Sequence, residues 1–244
     1  MMLPRLLLRL GPFDAANIRR DALLAWVPFA PLAFAGVIRL GWPPLESWLA
    51  TRWQVDLLPY EPLVMGFLLL LGPTMAGMVT GFMLLDERDE GVLRALLVTP
   101  VSFGSFLAYR LAVPVGVGFV LTLAAYPLAG LVPLPAWQVA SCALLAAASG
   151  PIMALVLVRF AEDKVSGFVV VKAANVLNLL PIAAFFLAGP ARWLAVVLPT
   201  YWPLAAYWRY AGGVPATVDL IIGFMVNAVW LAALLWSSNR VIRN

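Results

Sequence analysis

Long uncharged apolar runs alternate with short charged segments along this chain, and the runs come at the length that crosses a bilayer. Residues 62–85 are twenty-four positions without a formal charge, and residues 111–158 are forty-eight, too many for one crossing and right for two. Pro133 and Pro135 mark the turn between those two. With the remaining runs the pattern predicts six transmembrane helices, at residues 22–38, 62–85, 107–130, 137–158, 165–188 and 219–236, in a single membrane domain over 1–244. The first contains Pro28 and Pro31, is close to the lower limit of length, and is expected to kink. Residues 39–61 are mixed, and Trp42, Trp48 and Trp53 suggest a segment at the outer interface.

The N-terminal stretch has another periodicity. Leu3, Leu6, Leu7 and Leu10 follow the i, i+3, i+4, i+7 template with Arg5 and Arg9 on a different face, which predicts an amphipathic helix lying in the membrane interface within residues 1–20. Gly11 and Pro12 break it, and Asp14, Arg19, Arg20 and Asp21 stand where a signal-peptide cleavage site would be, so the segment reads as part of the mature protein.

Composition agrees: 64% of residues are hydrophobic and 11% charged, against about 45–50% and 25% in soluble domains. The net charge of +4 comes from basic residues that flank apolar runs, so it reports topology and not nucleic-acid binding. Cys142, the single cysteine, cannot form an internal disulfide. The chain has no histidine, which excludes Ser/His and Cys/His nucleophile pairs, histidine metal sites and haem held by histidine. The predicted spans lack paired carboxylates, and no segment matches G-x-x-x-x-G-K-[ST]. These absences predict no catalytic residue, no metal site and no cofactor of its own; any ATP used must be bound by another chain.

The only dense charge cluster between apolar runs is at residues 86–101. Asp86, Glu87, Asp89 and Glu90 are placed as the first turn of a short helix, where acidic groups offset unpaired amides. Val92, Leu93, Leu96 and Leu97 then form an apolar face with Arg94 off it, and Pro100 stops the helix before Ser102 caps the next. Such an element suits docking to a protein better than catalysis; the alternative is a solvated loop joining two spans.

Three further features stand out. Gly77 and Gly81 have small-x-x-x-small spacing, which permits close helix contact. Lys172, Asn175 and Asn178 recur every three residues and trace a polar stripe, predicted to face a translocation path or a dimer contact, although Lys172 alone can snorkel to the interface. Residues 189–218 carry Trp193, Tyr201, Trp202 and Trp208, too apolar for a solvated loop, and Pro199, Pro203 and Gly212 divide them into two pieces of roughly eight to ten residues, each too short to span. They predict a helical hairpin dipping into the outer leaflet; an interfacial aromatic belt without a gating role fits equally. The charged segments assigned to one side carry eleven basic residues and those on the other four, so both termini and residues 86–101 are expected on the cytoplasmic side of the cell (inner) membrane.

Two spans, an acidic cluster, the run from Glu90 to Ser102, and four more spans resemble the membrane subunit of ATP-binding-cassette exporters of the second permease class, which have the type V exporter fold. The resemblance implies that residues 86–101 form the coupling helix, with Glu87, Glu90, Val92, Leu93, Arg94, Leu96 and Leu97 meeting an ATPase. It implies an N-terminal interface helix at Leu3, Arg5, Leu7 and Arg9, and a re-entrant hairpin at 189–218. The nearest subgroup is the small drug-export permeases, fluoroquinolone exporters among them. Implied partners are two copies of an ABC ATPase carrying ATP and magnesium, a second permease, identical or homologous, and the lipid bilayer. The implied function is export of a small hydrophobic or amphipathic, drug-like or lipid-like compound, against the alternatives of a secondary transporter or channel, or a membrane scaffold for a soluble partner.

Overall fold

A computed structural model describes residues 26–92, 102–186 and 193–242, leaving out the side chains of Pro28, Trp193 and 238–242. The expected interface helix, with Leu3, Arg5, Leu7 and Arg9, lies outside the described residues, as does most of the expected docking helix, with Leu93, Arg94, Leu96 and Leu97. Among the described residues all regular structure is helical: α1 Ala30–Trp53, α2 Glu61–Asp89, α3 Phe103–Ala129, α4 Ala136–Ala147, α5 Gly150–Phe160, α6 Lys164–Ala183, α7 Trp193–Val196, α8 Tyr201–Ala211 and α9 Thr217–Ile242. Uncharged runs in lipid have no water to satisfy their amides, and helices pair them within the segment. Five stretches, 58–89, 103–129, 136–160, 164–183 and 217–237, are long and apolar enough to cross a membrane.

Two boundaries differ from expectation. The mixed region after residue 38 is not a separate interface segment: α1 continues through Arg39, Pro43 and Pro44 to Trp53 and ends where Gln54 turns left-handed at φ 54°. Its early turns bury Ala35 and Ile38 against Met65 and Leu68, whereas Leu40, Leu45, Trp48 and Trp53 are exposed. Two prolines are tolerated because the carbonyls they orphan, of Arg39 and Leu40, lie on this exposed part. The expected span at 137–158 is interrupted between α4 and α5, where Pro151 offers no N–H to the Ala147 carbonyl four residues back and the Ser149 hydroxyl donates to the neighbouring Ala146 carbonyl at 2.6 Å.

The central helix is α2, which meets α1, α3, α4, α5, α6 and α8. Small residues bring its neighbours close. A Cβ on Gly77 would stand 2.3 Å from the Gly150 carbonyl oxygen, and one on Gly81 2.7 Å from Leu157 Cδ1, so both glycines face α5. Gly118 of α3 faces Pro73 in the same way, at 2.8 Å from its Cα. Pro73 cannot bond the Leu69 carbonyl, and the buried Thr122 hydroxyl of α3 donates to that carbonyl at 3.4 Å. In contrast, α6 buries only Gly167, Val171 and Pro181, leaving Phe168, Val176, Leu179 and Leu180 exposed. Its start is fixed by a capping box: Asp163 accepts from the Ser166 N–H at 2.8 Å, and Ser166 Oγ accepts from the Asp163 N–H at 3.0 Å. The Ser166 N–H, together with the Ser166 hydroxyl that also donates to the carboxyl at 2.8 Å, holds the exposed Asp163 carboxyl below the usual carboxylate range.

Gly77→Ala forces backbone apart at the α2–α5 contact and is expected to destabilise by about 1–3 kcal/mol. Gly104→Ala, where nothing lies within 4 Å, is the control. Unfolding of both variants in detergent micelles measures the difference; equal stability would show that the contact relaxes freely.

Candidate functional site: an uncharged groove between two helices and a broken hairpin

The charged cluster lies at the opposite end of a helix from where the sequence pattern puts it. Asp86, Glu87 and Asp89 form the last turn of α2, Glu90 is its C-cap, and Gly91 takes φ 73°. Carboxylates at a helix C-terminus meet the negative end of the helix dipole. Three cations offset this. Arg110 of α3 binds Glu87 through Nε at 3.2 Å and through Nη2, with both side chains largely buried. Lys164 at the start of α6 reaches Asp86 at 2.9 Å. Arg88 donates to the last carbonyls after α5, those of Val158 at 3.3 Å, Ala161 at 3.1 Å and Glu162. The cluster therefore clamps α2, α3, α5 and α6 together at one end. Of the residues proposed for docking, Glu87 is committed to this clamp, Glu90 is exposed and Val92 is half-buried.

The aromatic segment folds as α7 and α8 around a turn at 197–200. Within the described residues its first piece is one helical turn, and 187–192, the start of the expected piece of eight to ten residues, lie outside the description. The broken backbone leaves carbonyls free, and side chains answer each of them: Trp202 Nε1 donates to Val196 at 2.9 Å, Trp230 Nε1 of α9 to Val197 at 2.9 Å, and Asn227 Nδ2 to Pro199 at 3.4 Å. Pro199, Tyr201 and Trp202 are buried. Trp208 ties α8 to the start of α2 by donating to the Pro62 carbonyl at 3.1 Å and stacks edge-on with Phe185. The hairpin thus sits at the end of α2 remote from the clamp.

Between α2 and α6 lies a cavity of about 270 Å³, walled by Phe67, Leu71 and Met75 on one side and by Val176, Leu179 and Ile182 on the other. Its polar groups are Thr74, Asn175 and Asn178. A second cavity of about 110 Å³ lies behind, under the hairpin turn, and shares Thr74 and Asn178 with the first. Among the residues lining either cavity none is charged. The polar stripe is divided: Asn175 and Asn178 line the groove, whereas Lys172 is exposed and does not. Sequence reasoning missed Thr200, Asn227 and Arg110. Asn227 had the same signal as the asparagines of α6, a lone amide in an uncharged run; Thr200 had none, because only the fold brings it to Asn178.

Apolar helices tied by small-residue contacts and by side chains that satisfy broken backbone, around an uncharged groove, define a multi-pass helical membrane protein. Sequence comparison gives the particular family. Residues 14–235 match the family described as fluoroquinolones export permease protein Rv2686c-like, and the chain belongs to it. It is 32% identical over 208 residues to the fluoroquinolones export permease protein Rv2686c of Mycobacterium tuberculosis strain H37Rv, covering 84% of this chain and 82% of the relative. The corresponding protein MT2760 of strain CDC 1551 matches to the same extent.

Because the Glu87–Arg110 pair is largely buried, Arg110→Met alone leaves Glu87 without the cation that binds it and is expected to cost about 3–5 kcal/mol, and Glu87→Gln alone removes the carboxylate from the clamp. The double variant Glu87→Gln with Arg110→Met should cost less than the sum of the two single changes. Thermal unfolding of the four proteins closes the cycle, and additive losses would mean that the two side chains do not act as a pair.

Proposed function

We propose that this chain is the permease subunit of an ATP-driven exporter that moves small, mainly apolar compounds of the fluoroquinolone type across the cell membrane. The observation that carries the reading is the uncharged groove between α2 and α6, in a chain whose relatives are named as export permeases for such compounds. The chain has no phosphate-binding loop and no histidine, so ATP and magnesium belong to two copies of a partner ATPase. The partner's conformational change drives the permease. Five described stretches are apolar and long enough to cross, and we add the sixth crossing that the sequence pattern predicts at 22–38, which assigns both termini and the clamp to the cytoplasmic side, where basic segments concentrate. The docking helix then follows α2 directly, with Glu90, Val92, Leu93, Arg94, Leu96 and Leu97 presented to the ATPase. The exposed apolar face of α6 supports a second permease, identical or homologous, facing it across the path.

In proteoliposomes holding the chain and its ATPase, uptake of a fluorescent fluoroquinolone should require ATP and magnesium. Uptake by the permease alone, driven by an ion gradient, would instead identify a secondary transporter.

Leu96→Asp places a charge in the docking contact and is expected to cost a few kcal/mol of ATPase binding while membrane insertion persists. Co-purification of the ATPase reads this out, and unchanged recovery would reduce the helix to a linker.

A further inference from the structure

The turn between α7 and α8 reaches into the groove through one hydroxyl. Thr200 is buried, and its Oγ1 donates to Asn178 Oδ1 at 3.0 Å. An amide whose oxygen is held in this way has its orientation set: Oδ1 faces the turn, and the Nδ2 hydrogens are left for whatever occupies the cavities that Asn178 lines. Thr74, the other polar group common to both cavities, spends its hydroxyl hydrogen on the Leu70 carbonyl at 2.8 Å and offers only lone pairs. The groove therefore shows an occupant a fixed donor, a neighbouring acceptor and apolar walls. Thr200 is in turn held from behind. Asn227 of α9, 4% exposed, donates to the adjacent Pro199 carbonyl at 3.4 Å and to Gly223 at 2.9 Å.

We propose that Thr200, held by Asn227, is a positioning residue that sets the polarity of Asn178, so that the groove selects uncharged, mainly apolar compounds bearing a carbonyl oxygen. This rests on the reading of the groove as the transport path and names the ligand chemistry that path prefers. The donor of Asn178 faces a carbonyl acceptor, and the absence of charged lining disfavours an ionised ligand, whose desolvation nothing in the walls offsets, so a quinolone, which has a titratable carboxyl, would occupy the groove in its neutral form. The hairpin and the groove are thereby coupled: moving the turn away from α6 frees the amide to rotate and removes the preference.

The test uses the full chain with its ATPase in proteoliposomes and two uncharged probes of similar size, a quinolone whose carboxyl is blocked as an ester and an aromatic dye without a carbonyl. Thr200→Val removes the hydroxyl at nearly constant volume. The preference for the quinolone, measured as the ratio of the two KM values, is expected to fall about three- to tenfold, the worth of one neutral hydrogen bond. Thr200→Ser should restore it, and Asn227→Leu should weaken it in the same direction. Should Thr200→Val fail to assemble, Thr200→Cys, with its much weaker donor, carries the same comparison. An unchanged ratio, or a KM rise equal for both probes, overturns the positioning role, because a merely structural residue would affect them alike; so does failure of serine to rescue. Asn175→Cys in a Cys142→Ala background separates this from failure of the underlying reading. If the quinolone protects that cysteine from a water-soluble thiol reagent while the ratio is unchanged, only the role of Thr200 falls. If the cysteine is never protected, the groove is not the path and both readings fall.

Discussion

The structure depends on one constraint: in an apolar medium a backbone carbonyl freed inside the bundle has no water to bond, so a buried break in a helix needs a side chain to answer it. Pro73 in α2 is answered by Thr122 of α3, and the break between α7 and α8 by Trp202, Trp230 and Asn227. These contacts tell each broken element where to sit. The hairpin turn is therefore not a loop that happens to rest on the bundle. It is fixed from α8 and α9 through its own carbonyls, and through Thr200 it is fixed to α6.

At the other end the same economy applies to charge. A helix that ends in three carboxylates within four residues works against its own dipole, and α2 tolerates this because Arg110 and Lys164 arrive from α3 and α6. Arg88, from within the cluster, closes the end of α5. Four helices are thereby joined just before the segment that the proposed function assigns to the ATPase. Motion of that segment would be delivered to a rigid joint and passed along α2, which borders the groove.

Between the two ends, packing is uneven for a physical reason. Around α2, glycines allow backbones to approach so closely that a single Cβ would collide, while Met65, Leu69 and Phe82 of the same helix fill the space between these contacts. Against this, α6 touches the rest of the chain along a narrow strip and leaves most of its apolar surface uncovered. The groove exists because α6 is packed against α2 loosely, and its uncharged walls follow from the membrane setting of both helices.

Much was legible in the sequence, because the bilayer imposes a length and a polarity that one-dimensional patterns record directly. Apolar run lengths place helices over most of the chain, the glycine spacing of Gly77 and Gly81 marks a face, and the unusual amides at Asn175 and Asn178 mark another. The periodicity that begins at Val92 also drew the acidic residues into the wrong helix. Charge near an apolar run does not say which of two helices it ends, and α2 reaches Asp89 because Arg110 and Lys164, distant in the chain, make that end tolerable. Composition suggested an interface segment around Pro43, and α1 runs past it because the carbonyls that Pro43 and Pro44 orphan lie on its exposed part. The sequence by itself determined which segments must be helical and apolar. Only the tertiary structure decided which polar groups meet, because Thr200 with Asn178 and Glu87 with Arg110 are partners across twenty or more residues, and no local period encodes such pairs.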